Sequence, residues 1–451
     1  MIFSSLKRSM RVRIWAIFTI AATLAAFSGS LVQAQVENSS DVKQISLENA
    51  IKRTLANAPY LHEFAFKQKA VEGELKTAAL KPELNAGIEL ENFLGTGEVS
   101  GIKDTDITLT LSSVIEFGDK LTARTAFTSA KSQVIEAQKQ IRTLDILAEV
   151  TRRYIDVLAQ QAMIGAYKDA QSLAMYTYQS VVKRVEAGAS PAFEQQRASA
   201  SLARARLNLL TAEQTLKGLI KSLAIMWGEQ YPNFNQVQGD LLALSSSPSL
   251  SVLFEQVVNS PNIDIYAQES RLQEAQVRLS QAANQADLSW TAGIRRMNGI
   301  DEVAFLAGVS MPLFASDRNL GEFEKQQAML GRLKQQQQGA RLKLYHQLNT
   351  ALMARDNALR NVQTLQSAII PPLEQASSLV EQAYLDGRFS YLEWVSTSQE
   401  LLSARQALIQ SARQAHQRAA DIESLTATPM SISAPISSLN SSLNSSPSNT
   451  Q

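Results

Sequence analysis

Residues 119–187 contain no proline and one glycine, Gly165, so nothing in them forces a helix to stop. Apolar and small side chains recur there at alternating steps of three and four. They are Phe127, Ala130, Val134, Ala137, Ile141, Leu144, Ala148, Ile155, Leu158 and Ala162, with only Thr151 breaking the ladder. This is the spacing of a coiled-coil seam about five heptads long. A second stripe, Leu147, Val150, Tyr154 and Val157, predicts packing on two sides of the same helix. At about 1.5 Å per residue the stretch would reach roughly 100 Å, about three bilayer cores. It is also full of Lys, Arg, Gln and Glu, so it cannot lie in lipid. The sequence demands a long helix standing in water.

The charge balance, Lys+Arg 43 against Asp+Glu 42 in 451 residues, gives no reason to expect a nucleic-acid partner. There is no cysteine, which excludes a disulfide scaffold, zinc–thiolate and iron–sulfur sites, and a cysteine nucleophile. No glycine-rich phosphate loop, histidine pair at metal spacing or nucleophile elbow is present, so no enzyme, cofactor or metal centre is expected. His62, His346 and His416 fall far apart on helical stretches and read as solvated or interfacial. The ten methionines are scattered and offer no relay for soft metal ions.

Lys7, Arg8, Arg11 and Arg13 precede an apolar run over residues 14–27, and Val32, Gln33 and Ala34 form a small-residue cleavage site. Residues 1–34 therefore read as an export signal, with the mature chain starting near Gln35. No later stretch is apolar enough to cross a membrane as a helix.

From there the chain runs in a fixed order. Ser46 opens a helix that restarts at Pro59 and ends before Pro82. Over residues 83–117 the period changes to two: Leu84, Ala86, Ile88 and Leu90, then Ile107, Leu109 and Leu111, alternate with polar residues as in a β-hairpin. The long helix follows and stops at Gly188, before Ser190 and Pro191 start a return helix over 191–227. After an irregular linker at 229–258 the same order recurs: a helix from Pro261, a hairpin over 287–313, a long helix over 317–385 with a kink at Pro371 and Pro372, and a return helix over 390–425. Setting Gly188 on Gly387 places Glu194 on Glu393, Leu202 on Leu401, Ala205 on Ala404 and Arg206 on Arg405. Residues 35–228 and 259–425 are thus one unit used twice. Residues 426–451, rich in Ser, Asn and Pro, read as a disordered tail.

Four strands cannot close a membrane barrel, which needs about eight or more and no open edge. The hairpins must then close with those of other copies. Ile107, Leu109, Leu111, Phe305 and Val309 would face lipid, and Thr108, Thr110, Ser112 and Ser310 water.

This doubled plan resembles the TolC family of outer-membrane efflux proteins across nearly all of the mature chain. Residues 47–59 (LENAIKRTLANAP) are similar to its opening helix. Residues 114–124 (VIEFGDKLTAR) and 309–321 (VSMPLFASDRNLG) resemble the strand-to-helix junctions of the family's heavy-metal branch, and 383–405 (AYLDGRFSYLEWVSTSQELLSAR) its last hairpin. The resemblance implies a mainly α fold with a β-barrel portion. A homotrimer would place twelve strands in the outer membrane, in contact with lipid, above a twelve-helix periplasmic tunnel with an equatorial region at mid-height. It also implies two partners: a periplasmic adaptor protein and an inner-membrane pump, often of the resistance-nodulation-division type.

Within that plan Glu393 falls where the family places acidic residues at its periplasmic constriction, while Ser396 stands where a second carboxylate is common. Glu194 is its repeat equivalent. The alternative is that Glu393 is a solvated glutamate stabilised by its helix dipole. The turns at Gly188 and Ser190, and at Gly387 and Arg388, would form the periplasmic tips that meet the adaptor, besides being ordinary helix caps. A type I protein secretion duct and a structural coiled-coil envelope protein remain as alternative functions.

Overall fold

The protein is described from a computed structural model, over residues 44–94, 96–97, 101–102 and 104–429. The export signal and the stretch 430–451 of the expected tail lie outside the described residues. The first repeat comprises β1 (Gln44–Ile45), α1 (Leu47–Asn57), α2 (Pro59–Ala78), β2 (Asn85–Glu91), β3 (Asp106–Ile115), α3 (Lys120–Glu186) and α4 (Ala192–Ala224), closed by a 3-10 turn at Ile225–Trp227. Then come β4 (Gln236–Val237), α5 (Leu250–Val258), α6 (Pro261–Ala282), β5 (Leu288–Met297), β6 (Glu302–Ser310), α7 (Ala315–Thr364), α8 (Ile370–Leu385) and α9 (Tyr391–Thr426).

The helix α3 is the hub: α1, α2, α4, α6 and α9 all pack against it. Its first stripe buries Val134, Ala137, Ala148, Ile155 and Leu158, and Thr151 is buried in line with them rather than interrupting the seam. Its second stripe, Val150, Tyr154 and Val157, enters the main core with Ile45, Ile51, Leu223, Trp227, Phe234 and Leu241. That core sits where the linker returns to the helices. There β1 and β4 pair in parallel, and the Tyr154 hydroxyl donates to Ile45 O at 3.1 Å and to Gln238 O. Gln161 brackets the same strand, accepting from Val237 N at 2.7 Å and donating to Val237 O at 3.0 Å.

The four long strands form one antiparallel sheet in the order β2-β3-β5-β6, leaving β2 and β6 as open edges within the chain. Its registers align side chains across all four strands. One row is Ile88, Leu109, Ile294 and Phe305; the next is Ala86, Leu111, Ala292 and Ala307. On the opposite face the row Glu89, Thr108, Arg295 and Ala304 carries an Arg295–Glu91 ion pair, and Arg295 Nε donates to Thr108 Oγ1 at 2.9 Å. The first face stays open: Ile88 is 74% and Phe305 88% exposed. At the junction below, Arg124 of α3 reaches Ala78 O, Leu80 O and Glu116 Oε1 within 3.0 Å, and Lys120 Nζ meets Asp287 Oδ1 at 2.6 Å. These contacts fix how the sheet mounts on the helices.

The second long helix is irregular in the turn just ahead of Pro371 and Pro372, where the proline kink is expected. Leu365–Ile369 form a π turn, which frees the hydrogen bonds the prolines cannot make. Two expectations are corrected, on the last helix. The last helix runs one residue into the expected tail. Thr426 is buried, with its Oγ1 donating to Ile422 O at 2.9 Å and accepting from Thr428 N at 3.3 Å. His416, expected to be solvated or interfacial, is not solvated: it is only 3% exposed, because the linker crosses over it.

Candidate gate and docking tip

Two tip turns end the helical hairpins, and they share one construction. Gly188 (φ +71°) and Gly387 (φ +76°) take the left-handed conformation that a side chain disfavours. Gly188 N donates to Val185 O and Ala189 N to Arg184 O. In the other turn Gly387 N donates to Tyr384 O and Arg388 N to Ala383 O, all between 2.8 and 3.0 Å. This double bond pattern terminates a helix while satisfying its last carbonyls. The Arg388 side chain points to solvent and pairs with Asp386 at 2.6 Å.

The return helices start differently, and that decides the fate of the two glutamates. Ser390 caps α9: Glu393 N donates to Ser390 Oγ at 3.4 Å, and Ser390 N and Oγ both donate to Glu393 Oε2 at 2.8 Å. This is a reciprocal capping box. The Ser390 backbone bond, then its hydroxyl, hold the Glu393 carboxyl below its ordinary range. In α4 the cap is Pro191, which has neither an N–H nor a hydroxyl to offer. Glu194, at the equivalent position, has no such box, and its Oε2 is buried without a hydrogen-bond partner. Its charge adds to the effect of burial in raising the hydroxyls of Tyr384 and Tyr391 above their usual range.

Several residues that sequence reasoning missed bind this end together. Arg184, from the last turn of α3, donates from NH1 to Tyr384 O and Leu385 O at 3.0 Å each, and from Nε to Ser190 Oγ at 3.3 Å. One guanidinium therefore joins both tip turns. Above it Val181, Ala198, Tyr384, Tyr391 and Trp394 form a separate buried cluster, with Tyr384 and Trp394 rings 5.1 Å apart. The signal for it was present: Tyr384, Phe389, Tyr391 and Trp394 crowd around Gly387 in a chain that is only 6% aromatic. Further up, α3 and α9 are tied by Asp156 with Arg413 at 2.7 Å, Arg152 with Asp421 at 2.9 Å and Asp169 with Arg405 at 3.5 Å.

Among the described residues no group of three or more His, Asp or Glu side chains is placed to hold a metal ion. None of the described helices is long and apolar enough to cross a membrane.

Known proteins share this architecture. Cobalt-zinc-cadmium resistance protein CzcC of Cupriavidus metallidurans is 26% identical over 291 residues, covering 64% of this chain and 70% of that protein. Among solved structures, CusC superposes with a TM-score of 0.71 at 15% identity, over 84% of this chain and 91% of that one. The outer membrane protein VceC of Vibrio cholerae gives 0.68 at 17% identity, over 85% and 96% of the two chains. At such identities the likeness is one of fold. The model of the outer membrane efflux protein family matches residues 50–229 and 255–428, taking in both strand pairs and both helical hairpins. The chain belongs to the outer membrane efflux protein family.

Proposed function

We propose that three copies of the chain close into one outer-membrane channel, the exit duct of a tripartite efflux system. The observation that carries this reading is the four-stranded sheet, with one apolar face in the open and two unpaired edges. Such a sheet is a poor end state in water and a hazard as an edge. Pairing β6 of one copy with β2 of the next removes every edge and puts the Ile88–Phe305 row against lipid. The long helices then descend into the periplasm, where a water-filled tunnel suits their polar surface. Conduction of this kind needs no catalytic group.

Detergent-extracted protein should run at three times the mature mass and give discrete conductance steps in planar bilayers. Cysteines introduced one on β2 and one on β6, in a chain with none of its own, should cross-link only between copies. A monomer without channel activity overturns the assembly.

The likeness to a cobalt-zinc-cadmium resistance protein supports divalent metal cations as cargo. A periplasmic adaptor and an inner-membrane pump of the resistance-nodulation-division type are the partners we assign to the channel. The tip turns at Gly188, Ser190, Gly387 and Arg388 are the surface we assign to the adaptor. Glu393 and Glu194 are the carboxylates we assign to the constriction. Deleting the gene should sensitise cells to cobalt, zinc and cadmium salts before dyes or detergents; the reverse order would make organic solutes the cargo.

A further inference from the structure

The linker between the repeats crosses α7 and α9 at two buried basic side chains. Arg355 of α7 is 2% exposed and His416 of α9 is 3% exposed. The Arg355 guanidinium donates to Ser245 O at 2.8 Å, to Ser245 Oγ at 3.2 Å and to Ser247 Oγ. Ser247 Oγ in turn donates to Asp356 Oδ1 at 2.6 Å. His416 Nε2 lies 2.9 Å from Leu241 O, and because a carbonyl only accepts, Nε2 carries a proton there. One strap of chain is thus held to two helices through one permanent cation and one titratable ring.

The charged groups bearing on His416 are Asp240 on the strap and Arg355 on α7. Arg355 is faced in turn by Asp356 and by Glu423 of α9. Toward α3, Asp156 is taken by Arg413 and Gln417, and Arg152 by Asp421.

We propose that residues 238–247 form a proton-released strap: charging His416 puts a second cation into the buried space Arg355 already occupies and loosens the strap from α7 and α9. Burial, chiefly, holds the imidazole below its ordinary 6.5; Arg355 opposes the proton, and the Leu241 carbonyl and Asp240 favour it. The sign follows from linkage. A histidine that binds its proton more weakly in the closed state favours closure fully above about pH 6.5, and that preference is lost as pH falls below it. The periplasmic place assigned to the helices exposes them to such changes. Because α7 enters its π turn at Leu365, below Arg355, the strap clamps the helix just above its irregular segment.

Hydrogen exchange on the full-length protein in detergent tests this, with rates corrected for the intrinsic pH dependence of exchange. Amides of residues 238–247 should lose protection between pH 7.5 and 5.5, by up to about tenfold for one proton, while the α3 core around Val150 and Val157 keeps its own. His416→Gln retains an N–H for Leu241 O but cannot titrate, so its protection should be flat over that range. His62→Gln and His346→Gln, at exposed positions, should behave as wild type. Unchanged wild-type protection overturns the proposal, as does a His416→Gln protein that follows the wild-type pH curve. Should that variant fail to fold, the wild-type onset decides alone. An onset only below about pH 4.5 would assign the release to carboxylates.

Discussion

Arg184, in the last turn of α3, and Tyr384, in the last turn of α8, are joined twice. The guanidinium donates to Tyr384 O at 3.0 Å and lies over the Tyr384 ring, 5.0 Å from its centre. The two repeats of the chain thereby meet at their tips through one side chain, and both residues also lend their backbone carbonyls to the capping turns.

Arg184→Met keeps the aliphatic stem and removes the donors. Loss of the charge-assisted bonds to Tyr384 O and Leu385 O costs about 1.5–3 kcal/mol locally. Single-channel conductance should rise severalfold while the trimer stays intact. Conductance equal to wild type would mean that the aromatic cluster alone holds the tips.

Glu393 and Glu194 should separate in planar-bilayer measurements. Glu393→Gln keeps an acceptor for the capping box but removes the charge, whereas Ser390→Ala breaks the box and keeps the charge. Loss of cation selectivity in Glu393→Gln but not in Ser390→Ala is expected if the carboxylate also lines the constriction. Equal, unaltered selectivity in both would leave Glu393 as a helix-start residue. Glu194→Gln, whose buried oxygen has no partner, should affect stability little.

Tyr154→Phe removes the hydroxyl that serves two strand carbonyls and should lower stability by about 1–3 kcal/mol, read from the thermal midpoint. Burial raises the Tyr154 hydroxyl to about 12 from 10.0. Its stabilising effect is therefore complete below pH 10 and lost as pH rises through about 12. Wild type should lose stability over that interval more steeply than the Phe variant; identical alkaline profiles would contradict the buried hydroxyl.

Truncation separates tail from helix. Ending the chain after Pro429 should leave assembly and efflux unchanged, because α9 closes at Thr426. Removing Ile422 and Thr426 as well should destabilise the packing of α9 on α5 and α7, where Leu253, Val257, Leu348 and Ile422 are buried together. A fall in trimer yield after the shorter truncation would show that the tail docks.

Local rules were enough for much of this architecture. The three-and-four spacing of Val134, Ala137, Ala148, Ile155 and Leu158, and the alternation of Ile107, Leu109 and Leu111, repeat with the geometry of a helix and a strand, so each element declares itself from its neighbours. The repeat joined those elements into one plan, and its resemblance to the TolC family agrees with the family to which the chain belongs. The tip turns could be read because glycine followed by a serine start is a signal a few residues long. Contacts between distant segments left no such trace. Nothing near Arg184 marks it as a partner of residues two hundred positions away, and nothing near His416 announces that Leu241 will cover it. Glu194 and Glu393 align in the repeat, yet one is turned inward and the other is held by its own cap, because Pro191 and Ser390 offer different atoms. Periodicity determines which face of an element is buried, but which neighbour covers it, and therefore whether a polar group is capped, paired or trapped, depends on chain crossings that only the assembled fold creates.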